Sequence, residues 1–557
     1  MLRIIHLMII SAVLSYSAAA QSRYAWNASL LFDPDTANGS PLPTQTMNLC
    51  PHVGELFAGM STDHEENRYS RSASYVYRKE SPIADWVLDM AFEPGSGRVA
   101  SLRSVRFETG ADGFPLSGGP MDILFAGTNR EGNTSAPTVV RLRKGPGDWI
   151  SIPLGSTNIG AYNIRAIGYH RDAQTGVDRV FVAAGPYPLG IFSGAYDPTH
   201  PGGVKFDSLP EVAEESSGNG KWFGLAEANG KLYAAHNDGL FERRDGPVPS
   251  WVKVATWPRP TPGTIIGEVN VEPRGLAGVP SIGFPEPQML FVSRLDALWR
   301  VRAGEDHQIV QELDMDSTIA ASIGYKVALA EGPMNPLVPI PVAGSGDTVW
   351  LIGVEFVFGD LDENHLVPPR DPMSPGDMSS ATTFSSVAHY FIRFRDGSYS
   401  GPHRIIDPVD TSRMLILARD MVPSPFVSEP GVVYAGGFNP SSLKGVGGSG
   451  ANGRAWIYAG VPRNTSDVWA EEIAGYPTPP SPEIYPNPAH DMLIISNMPE
   501  NFKGTVYITN ILGQVMLTKQ HAGSQCIVDI PVMGKGMYLI RLVDVRGQLL
   551  TRIFLKD

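Results

Sequence analysis

The stretch GELFAGMS, residues 54–61, decides the fold because it does not occur only once. It returns as DILFAGTN at 122–129 and, more loosely, as RVFVAAGP at 179–186, KLYAAHND at 231–238 and QMLFVSRL at 288–295. TVWLIGVE at 348–355 and VVYAGGFN at 432–439 bring the total to seven copies. A second short run follows each copy, for example VVRLRKGP at 139–146 and GLFERRDG at 239–246, and most alternate apolar with polar as a half-buried strand does. A third run, often led by Trp, then tends to appear: DWVLDMAF at 85–92, DWISIPLG at 148–155, SWVKVATW at 250–257 and DVWAEEIA at 467–474. Some copies also have a strand upstream, as in IRAIGY at 164–169, FGLAEA at 223–228, RGLAGV at 274–279 and LILARD at 415–420.

Four short strands per repeat, with repeats about 50 to 80 residues apart, form the pattern of a β-propeller. An LFAG-type strand is apolar on both sides because neighbouring blades cover both faces, and its small residues fit where blades crowd toward the axis. The sequence therefore predicts an all-β chain, a β-propeller of seven blades over 21–473. A pair of β-sandwiches is the competing fold, but it does not explain one grammar recurring seven times. Two insertions break the period, at 360–384 and 439–453, and long loops of this kind often carry function. Whether residues 21–50 close the ring against the last blade stays open at this stage.

The bulk numbers agree with a turn-rich β protein: 557 residues, with 59 Gly and 48 Pro. The first 20 residues hold one cation, Arg3, then an apolar run and the small residues Ala18 and Ala20. This predicts a secretory signal peptide over 1–20, cut between Ala20 and Gln21, and no transmembrane segment in the mature chain. Without Arg3 the formal charge moves from −13 to −14, and the tail from Tyr485 onward carries seven Lys/Arg against five Asp/Glu, which leaves −16 on 21–484. Such a balance argues against nucleic acid as a partner. Cys50 and Cys526 are the only cysteines, too few for a disulfide framework, and both read as structural free thiols.

After the Pro-rich linker 474–482 the chain changes character. YPNPAHDMLIIS begins at 485, VYITNILGQVM at 506, IVDIPVMGKGMYLIRL at 527 and GQLLTRIFLKD at 547. These are short alternating strands joined by Asn-, Gly- and Pro-centred turns, which predicts a small antiparallel β-sandwich over 483–557. The four segments in this order resemble the type A C-terminal sorting domains of the type IX secretion system of Bacteroidota. The resemblance implies passage across the inner membrane, folding in the periplasm and recognition by an outer-membrane translocon. It further implies cutting of the tail by a sortase-like peptidase, followed by release from the cell or attachment to surface lipopolysaccharide. On the same ground Tyr485, Pro486, Asn487, Pro488, Asp491, Leu512, Gly513, Gly536 and Tyr538 are expected to serve recognition or to define the domain's turns and core. Cys526 and the ending LKD depart slightly from the family pattern.

The cargo region offers no catalytic constellation of its own. FRDGSYSGPHRI at 394–405 loosely resembles an Asp-box, a turn in which the carboxylate accepts backbone N–H bonds. DHEE at 63 and DLDEN at 360 lack the spacing of a calcium loop. GVGGSGANG at 445 lacks both a nucleophile elbow and the Lys-Ser/Thr of a phosphate loop. No catalytic, metal or cofactor residues are therefore assigned. The expectation is an exported, non-enzymatic binding module for glycan or protein, with rim aromatics such as Trp257 either stacking on sugars or packing between blades. The alternative is a secreted glycoside hydrolase or lyase, which requires two or more carboxylates converging at one mouth of the channel.

Overall fold

The structure is a computed structural model. It describes residues 24–32, 43–61, 73–130, 137–158, 162–185, 190–213, 221–258, 272–281, 284–293, 297–302, 306–315, 317–319, 327–333, 335–342, 347–358, 384–385, 388–410, 415, 418–439, 454–463, 483–485, 489–496, 503–510, 515–530, 533–544 and 549–556. One compact unit spans Ala20–Arg463 and the other includes Asn464–Asp557. The signal-peptide site at Ala20 and Gln21, the linker 474–482 and nearly all of both insertions lie outside the described residues.

The larger unit is a β-propeller built from antiparallel meanders that follow one another along the chain. The first contains Gln45–His52, Glu55–Ser61, Ser74–Lys79 and Val87–Ala91, each paired with the next. The second runs Arg98–Phe107, Met121–Arg130, Pro137–Gly145 and Asp148–Asn158. The third is Tyr162–Arg171, Asp178–Gly185 and Gly190–Tyr196, the last carrying both Val204–Phe206 and Val212–Ala213 on its outer edge. Trp222–Ala228, Lys231–His236, Gly239–Arg244 and Ser250–Ala255 make the fourth. Pro273–Ser281, Phe284–Ser293, Ala297–Val301 and Ile309–Asp314 make the fifth.

The sixth unit is irregular. Its long strand Thr348–Phe358 pairs with Pro339–Pro341 and His389–Phe394 at one end and with Val327–Glu331 and Phe384–Ser385 at the other. His389–Phe394 then pairs with Tyr399–Arg404. The last unit takes Ala418–Pro423, Val433–Asn439 and Arg454–Pro462 from the end of the propeller and Tyr24–Leu31 from its beginning. The question left open by residues 21–50 is thereby answered: Tyr24–Leu31 closes the ring, while Gln45–His52 opens the first meander. The outer place next to Arg454–Pro462 belongs to Tyr24–Leu31, and the run at 467–474 lies outside the described residues.

The sequence grammar acquires physical reasons here. The LFAG-type strand is second from the axis, and its glycine meets the first strand of the next unit. A Cβ on Gly127 would stand 2.4 Å from the Ile164 side chain, and one on Gly436 would stand 2.5 Å from Thr46. Gly353 meets backbone instead, with the oxygen of Ala418 2.1 Å from where a Cβ would be. Backbone cannot swing aside as a side chain can. Gly353→Ala is therefore expected to lower unfolding stability by roughly 1–3 kcal/mol or more, read as a shift in denaturant midpoint.

The Trp that leads the third run is a latch between units. Trp149 donates its indole N–H to Asp89 of the first unit at 2.8 Å, and Arg143 holds the same carboxylate at 3.0 and 3.1 Å. Trp251 and Arg243 of the fourth unit grip Glu211 of the third in the same manner, at 3.1 and 2.8 Å. Trp86 reaches Ser29 on the ring-closing strand at 3.0 Å. Each latch satisfies a partly buried indole donor, which otherwise costs free energy, and ties the outer edges together.

At the seam between the last and first units Asp420 is buried and accepts hydrogen bonds from the backbone N–H of Leu49 at 2.8 Å and of Met421 at 2.9 Å. Asn335 donates to it at 3.2 Å and also to the carbonyl of Met47 at 2.8 Å. Burial dominates these bonds and pushes the carboxyl up from 3.8 to about 7. Its folded pKa is raised, so between about pH 4 and 7 the unfolded chain gives up this proton while the folded chain keeps it. The carboxyl's contribution to stability accordingly falls as pH rises through that window. Stability curves of the wild type and Asp420→Asn measured from pH 4 to 8 are expected to converge or cross in this sense, with the variant gaining relative to wild type toward pH 8.

The smaller unit is a two-sheet antiparallel sandwich. Glu483–Tyr485, Met492–Ser496 and Cys526–Asp529 form one sheet. Val515–Ala522, Lys503–Asn510, Gly536–Asp544 and Leu549–Lys556 form the other, in that order. Leu493, Ile495, Cys526 and Val528 meet Val506, Ile508, Ile540 and Leu542 in a single core. Both cysteines are free and buried, as expected, and burial pushes the Cys50 thiol up to about 12, which keeps it protonated.

Candidate functional site: a cationic mouth on the propeller axis

The first strands of the second to fifth units begin side by side. Where they begin, the units also pair briefly across their edges, Ser61 with Arg98 and Asn129 with Asn163. Period-two alternation aims every second side chain the same way. This sets Arg98 with Ala100, Asn163 with Arg165, Lys221 with Phe223, and Glu272 with Arg274. Arg98, Ala100, Asn163, Arg165, Phe223 and Arg274 line a pocket there.

The charges do not balance. Among the described residues Glu272 is the carboxylate of the cluster, and it is engaged by Arg274 at 2.5 Å. The Arg165 guanidinium lies 5.2 Å from the centroid of the buried Phe223 ring, a cation–π geometry that fixes its plane. Nε of Arg98 and Oδ1 of Asn163 are buried and make no hydrogen bond among the described residues. Burial, then Arg98 and Arg274, lower Arg165 to about 9, with Glu272 opposing. Lys221 is lowered as well, by burial first and then by Arg165. Arg165 stays protonated at neutral pH, and the two downward shifts express positive charge crowded into a poorly hydrated place.

The residues singled out in the sequence fall elsewhere. Tyr485 ends the first strand of the sandwich, and Asp491 accepts a backbone bond from Ile530 at 2.8 Å. Tyr538 is buried in the sandwich core and donates its hydroxyl to the carbonyl of Gly534 at 2.8 Å, two residues before Gly536. Pro486, Asn487, Pro488, Leu512 and Gly513 lie outside the described residues. Trp257 is not a rim residue: it is buried, donates to the carbonyl of His236 at 2.5 Å and packs its ring at a tilt against Phe291, centroids 4.5 Å apart. Asp396 of the Asp-box-like turn accepts from the backbone and side chain of Ser398 at 2.9 and 2.5 Å, a turn-making role. DHEE, DLDEN and the Gly-rich loop at 445 lie outside the described residues, and no group of three metal-ligating side chains occurs among the described ones.

Sequence reading missed the cationic mouth. Its signal was nonetheless present: a cation at or beside the start of three successive upstream strands, as in IRAIGY, KWFGLAEA and EPRGLAGV.

An all-β propeller followed by a small sandwich is thus the architecture. Residues 483–556 match the family described as secretion system C-terminal sorting domain. The chain carries a type IX sorting tail and is a protein directed to the cell surface or the extracellular space. The tail also implies interaction with the type IX secretion machinery. No helix among the described residues is long and apolar enough to cross a membrane.

Among curated proteins nothing matches the sequence. Among solved structures, PorZ, a surface component of the type IX secretion system of Porphyromonas gingivalis, is 11% identical, with 96% of this chain and 100% of that one covered at a TM-score of 0.16. An α-L-arabinofuranosidase of Fusarium graminearum is 8% identical over 78% of this chain and 98% of its own, at 0.34. An exo-inulinase of Aspergillus awamori is 8% identical over 95% and 93%, at 0.30. At these scores the likenesses say nothing of the site.

Proposed function

We propose that the chain is an exported binding module in which the tail supplies delivery and the axial mouth of the propeller supplies the docking site. The observation that carries this reading is the mouth itself. Among the described residues it gathers Arg98, Arg165 and Arg274, with Lys221 beside them, around one carboxylate that is already paired, a set suited to holding a ligand rather than to acid–base cleavage of a glycosidic bond. Regular meanders on both sides of the irregular sixth unit support seven blades. On this reading residues 21–473 are the cargo, 474–482 the linker and 483–557 the sorting domain. Cleavage after Ala20 admits the chain to the periplasm, where the translocon engages the folded tail through residues including Tyr485, Asp491, Gly536 and Tyr538, and a sortase-like peptidase removes it.

The test is binding of the labelled full chain to an array of neutral and acidic polysaccharides and of extracellular proteins. Saturable retention with no release of new reducing ends supports the module. Release of reducing ends without retention supports instead the hydrolase or lyase alternative.

A further inference from the structure

We infer that the pocket bounded by Arg98, Asn163, Arg165 and Arg274, with Lys221 beside it, recognises a single oxyanion group, a carboxylate or a phosphate, on the ligand that the propeller captures. The inference rests on reading the axial mouth as the docking site.

The mouth contrasts with the rest of the same molecule. Elsewhere in the propeller, several deeply placed arginines are matched by carboxylates. Arg243 is held by Asp172, Glu211 and Asp245, Arg393 by Glu312, Arg143 by Asp89, and Arg141 by Glu93. At the mouth the arrangement differs. Among the described residues Arg98 and Arg165 form no ion pair, and the one described carboxylate nearby, Glu272, is engaged by Arg274. Crowded cations repel one another and lose hydration, and an oxyanion seated between them would relieve both effects.

The chemistry of the lining fits such a group. Guanidinium forks match the two oxygens of a carboxylate or phosphate, and bonds of this kind are among the strongest available to a side chain. Phe223 holds the plane of Arg165, so little order has to be gained on binding. The surrounding chain is acidic, −16 over residues 21–484, which disfavours an extended polyanion and favours one local negative group on an otherwise neutral ligand.

The experiment is calorimetric titration of the full chain with glucuronate, inorganic phosphate and, as a neutral control, glucose. Saturable binding of at least one anion, none of glucose, and weakening as salt rises is the expected result. Arg165→Gln and, separately, Arg98→Gln are each expected to weaken anion binding by about tenfold or more. Glucuronate without phosphate identifies an acidic saccharide as the source, and phosphate without glucuronate a phosphorylated ligand. In the anion-free protein Arg165→Gln is expected to raise the unfolding midpoint, because it removes one of the crowded charges. If Arg165→Gln fails to fold, Arg98→Gln at the strand's start carries the comparison. Absence of saturable binding of either anion overturns the inference, as does binding that both variants leave intact. Should the full chain still be retained on the array with both arginines replaced, the oxyanion site fails while the binding module stands.

Discussion

Removal of residues 483–557 in a host with type IX secretion is expected to abolish delivery of the protein, leaving the propeller in the periplasm and none on the cell surface or in the medium. The expectation follows from the match of 483–556 to the sorting-domain family and from the independent architecture of this region. The sandwich has its own core, in which Leu493, Ile495, Val506, Ile508 and Ile540 are all fully buried. A signal that must be read as a folded surface should fail equally when that core is broken. Ile508→Asp places a charge between the two sheets and is expected to mimic the deletion, because an unpaired buried charge costs several kcal/mol in a small domain. The measurement is fractionation with immunodetection of the propeller. Surface delivery at wild-type level by either variant would remove the tail from the account of export.

Arg243→Met is expected to be the most damaging single substitution among the latches. Arg243 is fully buried and bonds Asp172 at 2.9 Å, Asp245 at 2.6 Å and Glu211 at 2.8 and 3.1 Å. Its guanidinium also lies 5.1 Å from the Phe181 ring centroid. Met fills a similar volume but leaves three carboxylates facing one another, and breaking a buried pair in this way costs roughly 3–5 kcal/mol. The network extends to His170, which sits between Glu227 at 3.2 Å and Asp245 at 3.0 Å. Burial alone would lower its pKa, but the two carboxylates more than offset this and raise it. Equilibrium denaturation of the variant measures the loss, and Glu211→Gln added to Arg243→Met should recover part of it. A loss below about 1 kcal/mol would mean that the carboxylates find other partners or water.

Much of this was open to sequence reading, and the reason is locality. The LFAG-type strand repeats because the same close approach recurs: Gly127 against Ile164, Gly353 against Ala418, Gly436 against Thr46. The Trp of the third run repeats because Trp149 and Trp251 each complete the same kind of latch to a carboxylate of the preceding unit. The tail was legible because turns and strands stand in a fixed order over a short span. What was hidden is non-local. Nothing in the composition of Tyr24–Leu31 shows that it pairs with Arg454–Pro462, more than four hundred residues away. The mouth was hidden for a related reason. Arg98, Arg165, Lys221 and Arg274 are each unremarked cations in their own segments and become a site only when four strand starts are brought together.

The measurement that tests the account most directly is the intact mass of this protein recovered from the cell surface, the medium and the periplasm of a host with type IX secretion. The account predicts a surface or released species that begins after Ala20 and lacks approximately the last 70 residues, with the propeller whole. Full-length protein confined to the periplasm, its sandwich still attached, would contradict it.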